Sequence, residues 1–132
     1  LIIFENNLCF ETSDFQNNKF KKFYIISNKN ENRCIKLSEK VLKFKSSLIQ
    51  DQEQRFKNQS IDCEVIDISE IKKIEKAVGL YPTVGENLDY LNSNTFKINF
   101  LYRELDQNSW QYCNKGFFNF KNYIPKIITI FT

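Results

Sequence analysis

The apolar residues of this chain follow one spacing over the first hundred positions and another spacing at the end. Residues 20–26 are rich in aromatic and β-branched side chains, and in residues 61–65 apolar and polar side chains alternate. Both patterns are typical of β-strands. After residue 115 the apolar residues recur at steps of three and four, which indicates an amphipathic helix. The stripe consists of Phe117, Phe120, Ile124, Ile127, Ile128 and Phe131. This change of period predicts a group of strands followed by one C-terminal helix.

The strand patterns predict about seven strands, separated by polar loops. The shorter candidates are residues 34–37, 41–45, 96–100 and 109–113, and the predicted loops are 11–19, 46–60 and 80–94. Residues 68–78 also fit a helical stripe ended by Gly79, but the surrounding β pattern favours a strand. Proline costs little in the first turn of a helix and much in its interior, so Pro125 indicates either a kinked helix or one that starts near Asn122, and we favour the late start.

The missing residue types exclude several kinds of site. The chain has no histidine, which removes Ser-His-Asp and Cys-His nucleophiles and His-ligated metals. Its four cysteines contain no Cys-x-x-Cys pair, so we expect reduced, partly buried thiols and no zinc site. Its three glycines are dispersed and form no phosphate-binding loop. We therefore expect no enzymatic activity, no metal and no cofactor.

Five segments occur in an order and spacing that resemble one known family. They are residues 20–26, 41–45, 60–68, 95–100 and 109–113, followed by the terminal helix. The first reads Phe-Lys-Lys-Phe-Tyr-Ile-Ile and the second reads Val-Leu-Lys-Phe-Lys. In these features the chain resembles the pleckstrin homology (PH) domain family. The resemblance implies a mostly β fold, with residues 1–132 forming a single PH-like domain: a seven-stranded antiparallel barrel capped by a C-terminal α-helix.

Positive charge is concentrated in residues 19–45, which contain nine basic residues and only two acids. This segment carries a net charge of +7, so the rest of the chain carries −4. In the PH family the same region forms the rim of the lipid site, and each basic residue near an anionic bilayer contributes about 1 kcal/mol. The resemblance thus implies lipid binding by Lys19, Lys21, Lys22, Lys43 and Lys45. We also expect Phe15, in the first loop, to contact the membrane.

These expectations define a non-enzymatic, cytoplasmic protein that binds peripherally to anionic phospholipids. At the position of the arginine with which many PH domains bind phosphoinositides, the chain has Phe23, which favours a simpler headgroup such as phosphatidic acid over a phosphoinositide. Within the PH family, this preference would suit the acylated PH-domain proteins of apicomplexan parasites, which sense phosphatidic acid.

Three alternatives to lipid binding remain. A PH-like signalling adaptor would bind a protein partner, with residues 80–94 as the interface. An OB-fold would bind single-stranded nucleic acid through the aromatic and basic residues 20–24, but the terminal helix fits that fold poorly. Lysines on a strand also occur simply as the solvated face of a sheet.

Overall fold

Five parallel strands form one sheet in the computed structural model, which describes residues 1–17 and 19–130. The strands are β1 (Ile2–Phe4), β2 (Phe23–Ser27), β3 (Cys63–Asp67), β4 (Val78–Leu80) and β5 (Asn99–Leu101). They lie in the order β3-β2-β1-β4-β5, and each neighbouring pair is parallel. The fold is therefore α/β, and the antiparallel PH-like barrel expected from the sequence is wrong.

The longest helix, α1 (Glu39–Asn58), occupies a region where the sequence predicts a strand and a loop. Its buried side includes Ile49 and Phe56, seven residues apart, which places them on the same face of a helix. Ser38 accepts a hydrogen bond from the N–H of Val41 and caps the first turn. The predicted strand at 41–45 and the predicted loop at 46–60 are consequently wrong. The predicted strand at 34–37 is also wrong, because these residues form a bend and an irregular segment before α1.

Helical elements also replace two other predicted segments of the first hundred residues. Ile68–Lys73 is a 3-10 helix, whereas the sequence pattern favours a strand for residues 68–78. The predicted loop at 80–94 contains helix α2 (Glu86–Ser93). The predicted strands at 20–26, 61–65 and 96–100 do overlap β2, β3 and β5.

Two apolar cores lie on opposite faces of the sheet. Side chains alternate between the faces of a strand, so Ile3 of β1 packs in one core and Ile2 and Phe4 pack in the other. Helix α1 contributes to the Ile3 core, and Leu91 of α2 contributes to the opposite core. Burial on both faces accounts for strands that read as continuous apolar runs, as parallel strands commonly do.

The chain divides into two compact units, Leu1–Leu101, which contains the sheet, and Tyr102–Thr132. The described part of the second unit contains three short α-helices, α3 (Glu104–Trp110), α4 (Phe117–Phe120) and α5 (Ile124–Ile128), and one 3-10 helix, Cys113–Lys115. The last predicted strand, at 109–113, is wrong. The predicted terminal helix is found as α5, with Pro125 in its first turn, while Phe131 lies outside the described residues.

The structure tests the expected partial burial of the cysteines and shows whether a helix could span a membrane. Cys63 is half-buried, whereas the other three cysteines are exposed, so the expected partial burial holds for Cys63 alone. Across residues 1–17 and 19–130, the helices are too short or too polar to cross a membrane.

Candidate functional site

The carboxyl ends of β1 and β4 lie side by side where the strand order reverses. From β1, the chain adds β2 and β3 on one side of the sheet and then β4 and β5 on the other. Ligands of open parallel sheets bind outside the strand ends at such a switch point. A cavity of about 340 Å³ lies at this edge, and we call it the switch-point cleft.

A network of four charged side chains forms the polar wall of the switch-point cleft. The guanidinium of Arg33 donates to both oxygens of Glu5, and its other terminal nitrogen donates to the carboxylate of Glu86. Lys45 donates to Oε1 of Glu5 at 2.8 Å. The side chains of Arg33 and Glu5 are only 2% and 5% exposed. Two cations and two carboxylates thus neutralise one another beside the cavity.

One backbone carbonyl also accepts a hydrogen bond from this network. Nε of Arg33 donates to the carbonyl of Asn28 at 3.0 Å, just beyond the end of β2. The arginine therefore connects the ends of β1 and β2 with the first turn of α2, where Glu86 lies. Its burial is tolerated only because each charged partner is matched, since an unmatched buried charge costs several kcal/mol.

Two asparagines that follow β1 join it to the segment after β4. Nδ2 of Asn6 donates to the carbonyl of Pro82 and, at 3.1 Å, to Oγ1 of Thr83. Nδ2 of Asn7 donates to the carbonyl of Tyr81 at 3.0 Å. These bonds hold the two sides of the cleft together, and Thr83 has a left-handed backbone with φ of 61°. The two loops after β1 and β4 are therefore joined to each other by side-chain hydrogen bonds.

A buried amide pair lies next to the cleft. Nδ2 of Asn28 donates to Oδ1 of Asn87 at 3.1 Å, and both residues are buried. Oδ1 of Asn28 has no hydrogen-bond partner among the described residues. Asn87 lies in the first turn of α2 and lines the cavity. The amide of Asn87 is thus positioned by Asn28 at the wall of the cleft.

The cleft also has an apolar wall, which is partly exposed to solvent. This wall includes Ile35, Leu37, Pro82 and Val84. Ile35 is 74% exposed and Val84 is 86% exposed. Apolar side chains at the mouth of a cavity with a few polar groups inside are typical of small-molecule sites.

The segment after β1 lacks the features of a dinucleotide-binding loop. It reads Glu-Asn-Asn-Leu-Cys-Phe and contains no glycine. Between β1 and β2, the described residues form one 3-10 helix, Phe10–Thr12, where a dinucleotide fold would place a longer helix to hold the pyrophosphate. The cleft therefore does not fit that ligand class. Within the described ranges, no three His, Cys, Asp or Glu side chains are grouped as metal ligands.

The five lysines predicted to bind lipid fall into two groups. Lys19, Lys21 and Lys22 precede β2, at the amino edge of the sheet, whereas Lys43 and Lys45 lie in the first two turns of α1, which follows the carboxyl end of β2. The five residues of β2 separate the two edges by about 16 Å. The structure therefore does not gather these lysines into one patch, and their role in lipid binding stays a prediction.

Two of these lysines already have acidic partners. Nζ of Lys22 lies 2.7 Å from Glu64, and this hydrogen bond raises the pKa of Lys22. Lys45 belongs to the network of the switch-point cleft. Phe15, the predicted membrane contact, is half-buried and packs against the core that contains Phe10. Membrane contact by Phe15 also stays a prediction.

Most residues of the cleft are absent from the sites predicted by sequence. The sequence pattern that could have located the cleft is a polar residue directly after an apolar run, such as Glu5 after β1 and Asn28 after β2. This pattern indicates a shared site only when the strands are parallel, because only then do their carboxyl ends lie at the same edge of the sheet. Lys45 was predicted as a site residue, but for a different site.

Comparisons with protein-family models, with curated proteins and with solved structures found no match. We therefore infer function from the residues of the chain itself.

Proposed function

We propose that the chain binds a small organic molecule in the switch-point cleft. The observation that carries this proposal is the buried guanidinium of Arg33, held by Glu5 and Glu86 beside an exposed apolar wall. Replacing a buried ion pair by packed apolar residues commonly leaves stability unchanged or higher, so stability alone is a weak reason to keep one. Positioning the wall of a binding site would be a stronger reason for the chain to keep this buried ion pair.

The composition of the two walls indicates the class of ligand. The charges of the polar wall are balanced, so the cleft has no excess charge that calls for a charged ligand. The exposed Ile35 and Val84 offer apolar contact area to a ring or a short aliphatic group. Asn6 and Asn87 add amide groups for hydrogen bonding. An uncharged molecule with one apolar part and one hydrogen-bonding part fits this arrangement best.

A fragment screen of the full chain tests the proposal. Uncharged heterocyclic fragments are examined by ligand-observed NMR, and hits are titrated against wild type and Val84→Asp. A carboxylate at the mouth removes apolar contact and adds charge, so we expect affinity to fall by about tenfold. Val41→Asp, at an exposed valine on α1 that does not line the cleft, is the matched control. Fragment affinities that Val84→Asp leaves unchanged would contradict the proposal.

We keep peripheral attachment to anionic membranes, from the cytoplasmic side, as a second proposal. The exposed side chains of Lys19, Lys21 and Lys43, within a segment of net charge +7, support it. Co-sedimentation with phosphatidic acid, phosphatidylserine and phosphoinositide vesicles at low and high salt is the test. We expect binding that weakens with salt and weakens again in the Lys21→Glu, Lys22→Glu variant. Absence of binding to every anionic vesicle at low salt would reject this proposal.

A further inference from the structure

Two consecutive phenylalanines protrude from the second unit. Phe117 and Phe118 are 66% and 79% exposed, at the start of α4. Their ring centroids are 5.9 Å apart, in an edge-to-face arrangement, so the two rings form one apolar projection. Gly116, with φ of 78°, makes the turn from which they project. We call Phe117 and Phe118 the diphenylalanine projection.

The chain around this projection is basic and contains no acid. From residue 107 to residue 132 there is no Asp or Glu, whereas Lys115, Lys121 and Lys126 are present. Nζ of Lys121 lies 5.4 Å from the centroid of the Phe118 ring. Positive charge therefore lies directly beside the exposed apolar rings.

The nearby tyrosines present a different arrangement. The rings of Tyr112 and Tyr123 are stacked on each other, with centroids 4.4 Å apart, and Nζ of Lys126 lies 5.6 Å from the Tyr112 centroid. Single-stranded nucleic acids are bound by open aromatic faces on which bases stack. One face of each tyrosine is already covered by the other, so this pair does not favour a base-stacking surface.

We propose that the diphenylalanine projection inserts into the interface of an anionic bilayer, while Lys115 and Lys121 contact the headgroups. This inference rests on the second proposed function, peripheral membrane attachment, and assigns its apolar contact to a site other than Phe15. Apolar rings flanked by lysines partition into the headgroup region, and the lysines add electrostatic attraction to anionic lipids. A projection of two rings enters a fluid bilayer without needing a complementary groove.

The test is partitioning of the full chain onto phosphatidylcholine vesicles with and without phosphatidic acid. Loss of two apolar rings from the bilayer removes their favourable transfer from water, so we expect Phe117→Ser, Phe118→Ser to bind at least about tenfold more weakly. The control is Leu48→Ser, at a leucine of α1 that is 39% exposed and lies outside residues 19–45, which is expected to bind as wild type does. Wild-type binding that requires phosphatidic acid supports the electrostatic part of the inference.

A fluorescence measurement gives an independent readout of insertion. In a Trp110→Phe background, the only tryptophan is introduced by Phe118→Trp. We expect brominated lipids to quench this tryptophan in anionic vesicles. An unquenched tryptophan on bound protein would overturn the inference.

The outcomes separate this inference from the second proposed function. If wild type and Phe117→Ser, Phe118→Ser bind anionic vesicles equally, the projection is not the contact, and membrane attachment through residues 19–45 still stands. If wild type binds no anionic vesicle, both are rejected. If a single-stranded oligonucleotide binds and vesicles do not, the inference is overturned in favour of nucleic acid.

Discussion

The guanidinium of Arg33 donates hydrogen bonds of 2.8 and 2.9 Å to the two carboxylate oxygens of Glu5. The two residues are 28 positions apart, one directly after β1 and the other in the segment between β2 and α1. Their pairing fixes where that segment passes over the end of the sheet. It thereby helps to position Ile35 and Leu37, which belong to the apolar wall of the cleft.

Removal of the arginine is expected to be strongly destabilising. Arg33→Ala leaves a buried Glu5 with Lys45 as its remaining charged partner, which should lower the free energy of unfolding by about 3–5 kcal/mol. Urea denaturation measures the loss. The double variant Glu5→Leu, Arg33→Leu removes both charges and should be less destabilised than the single variant. The control is Lys22→Ala, whose pair with Glu64 is exposed and screened by solvent, so its loss should change stability little. A loss in Arg33→Ala no larger than that of this control would contradict the prediction.

The buried face of α1 is tested at Phe56. This side chain is fully buried, with its ring centroid 4.9 Å from that of Phe23 and 5.9 Å from that of Phe10. We expect Phe56→Ala to cost about 3–5 kcal/mol, through lost apolar contact and the cavity left behind. Phe44→Ala, at an exposed position of the same helix, should change the unfolding free energy by less than about 0.5 kcal/mol. Equal effects of the two variants in urea denaturation would show that the helix is packed on another face.

Acid sensitivity is expected at Asp67, at the end of β3. Burial opposes ionisation, but hydrogen bonds from the hydroxyl and N–H of Ser69 and from Asn32 outweigh it and lower the pKa of Asp67 below its ordinary 3.8. Because the pKa is lower in the folded state than in the unfolded state, the ionised carboxylate stabilises the fold at any pH above the unfolded-state pKa. This stabilisation is lost as the pH falls through the folded-state pKa.

The difference in unfolding free energy between wild type and Asp67→Asn should therefore be largest near neutral pH and shrink as the pH falls below about 4. Ser69→Ala, which removes one of the hydrogen bonds, should show a smaller change of the same sign. Chemical denaturation at a series of pH values measures both. A difference that stays constant with pH would refute the assignment.

The reactivity of Cys63 is expected to be low. Burial raises the pKa of its thiol, and the negative charge of Glu53 raises it further. The thiolate is the reactive form, so iodoacetamide should modify Cys63 about tenfold more slowly than the exposed Cys34. Peptide mass mapping over time measures both rates. Glu53→Gln should accelerate modification of Cys63 while leaving Cys34 unchanged, and an unaltered Cys63 rate would exclude the contribution of Glu53.

The sequence was sufficient to locate several strands but not to pair them. Residues 20–26 and 61–65 were predicted as strands, and they are neighbours in the sheet as β2 and β3. Their periodicity carries no information on direction, because parallel and antiparallel strands both alternate side chains between faces. The connection between them decides the direction, and it contains the 20-residue helix α1.

Helix α1 was missed because its buried face includes polar side chains. Gln52 is fully buried and Lys45 is half-buried, both on the side that also carries Ile49 and Phe56. These residues interrupt the apolar stripe that would have indicated a helix. Their partners, Glu11 for Gln52 and Glu5 for Lys45, come from distant parts of the chain and are visible only in the folded structure.

The position of β1 at the centre of the sheet has a consequence for how the chain folds. Of the five strands, β1 comes first along the chain, yet it pairs with β2 about twenty residues later and with β4, where Ile2 meets Gly79. Its backbone on the β4 side stays unpaired until residue 79 has been synthesised. Contacts so distant in sequence slow folding, because a long loop must close before they form. Among the five strands of this sheet, the middle one is thus the first to be made during translation and among the last to be completed.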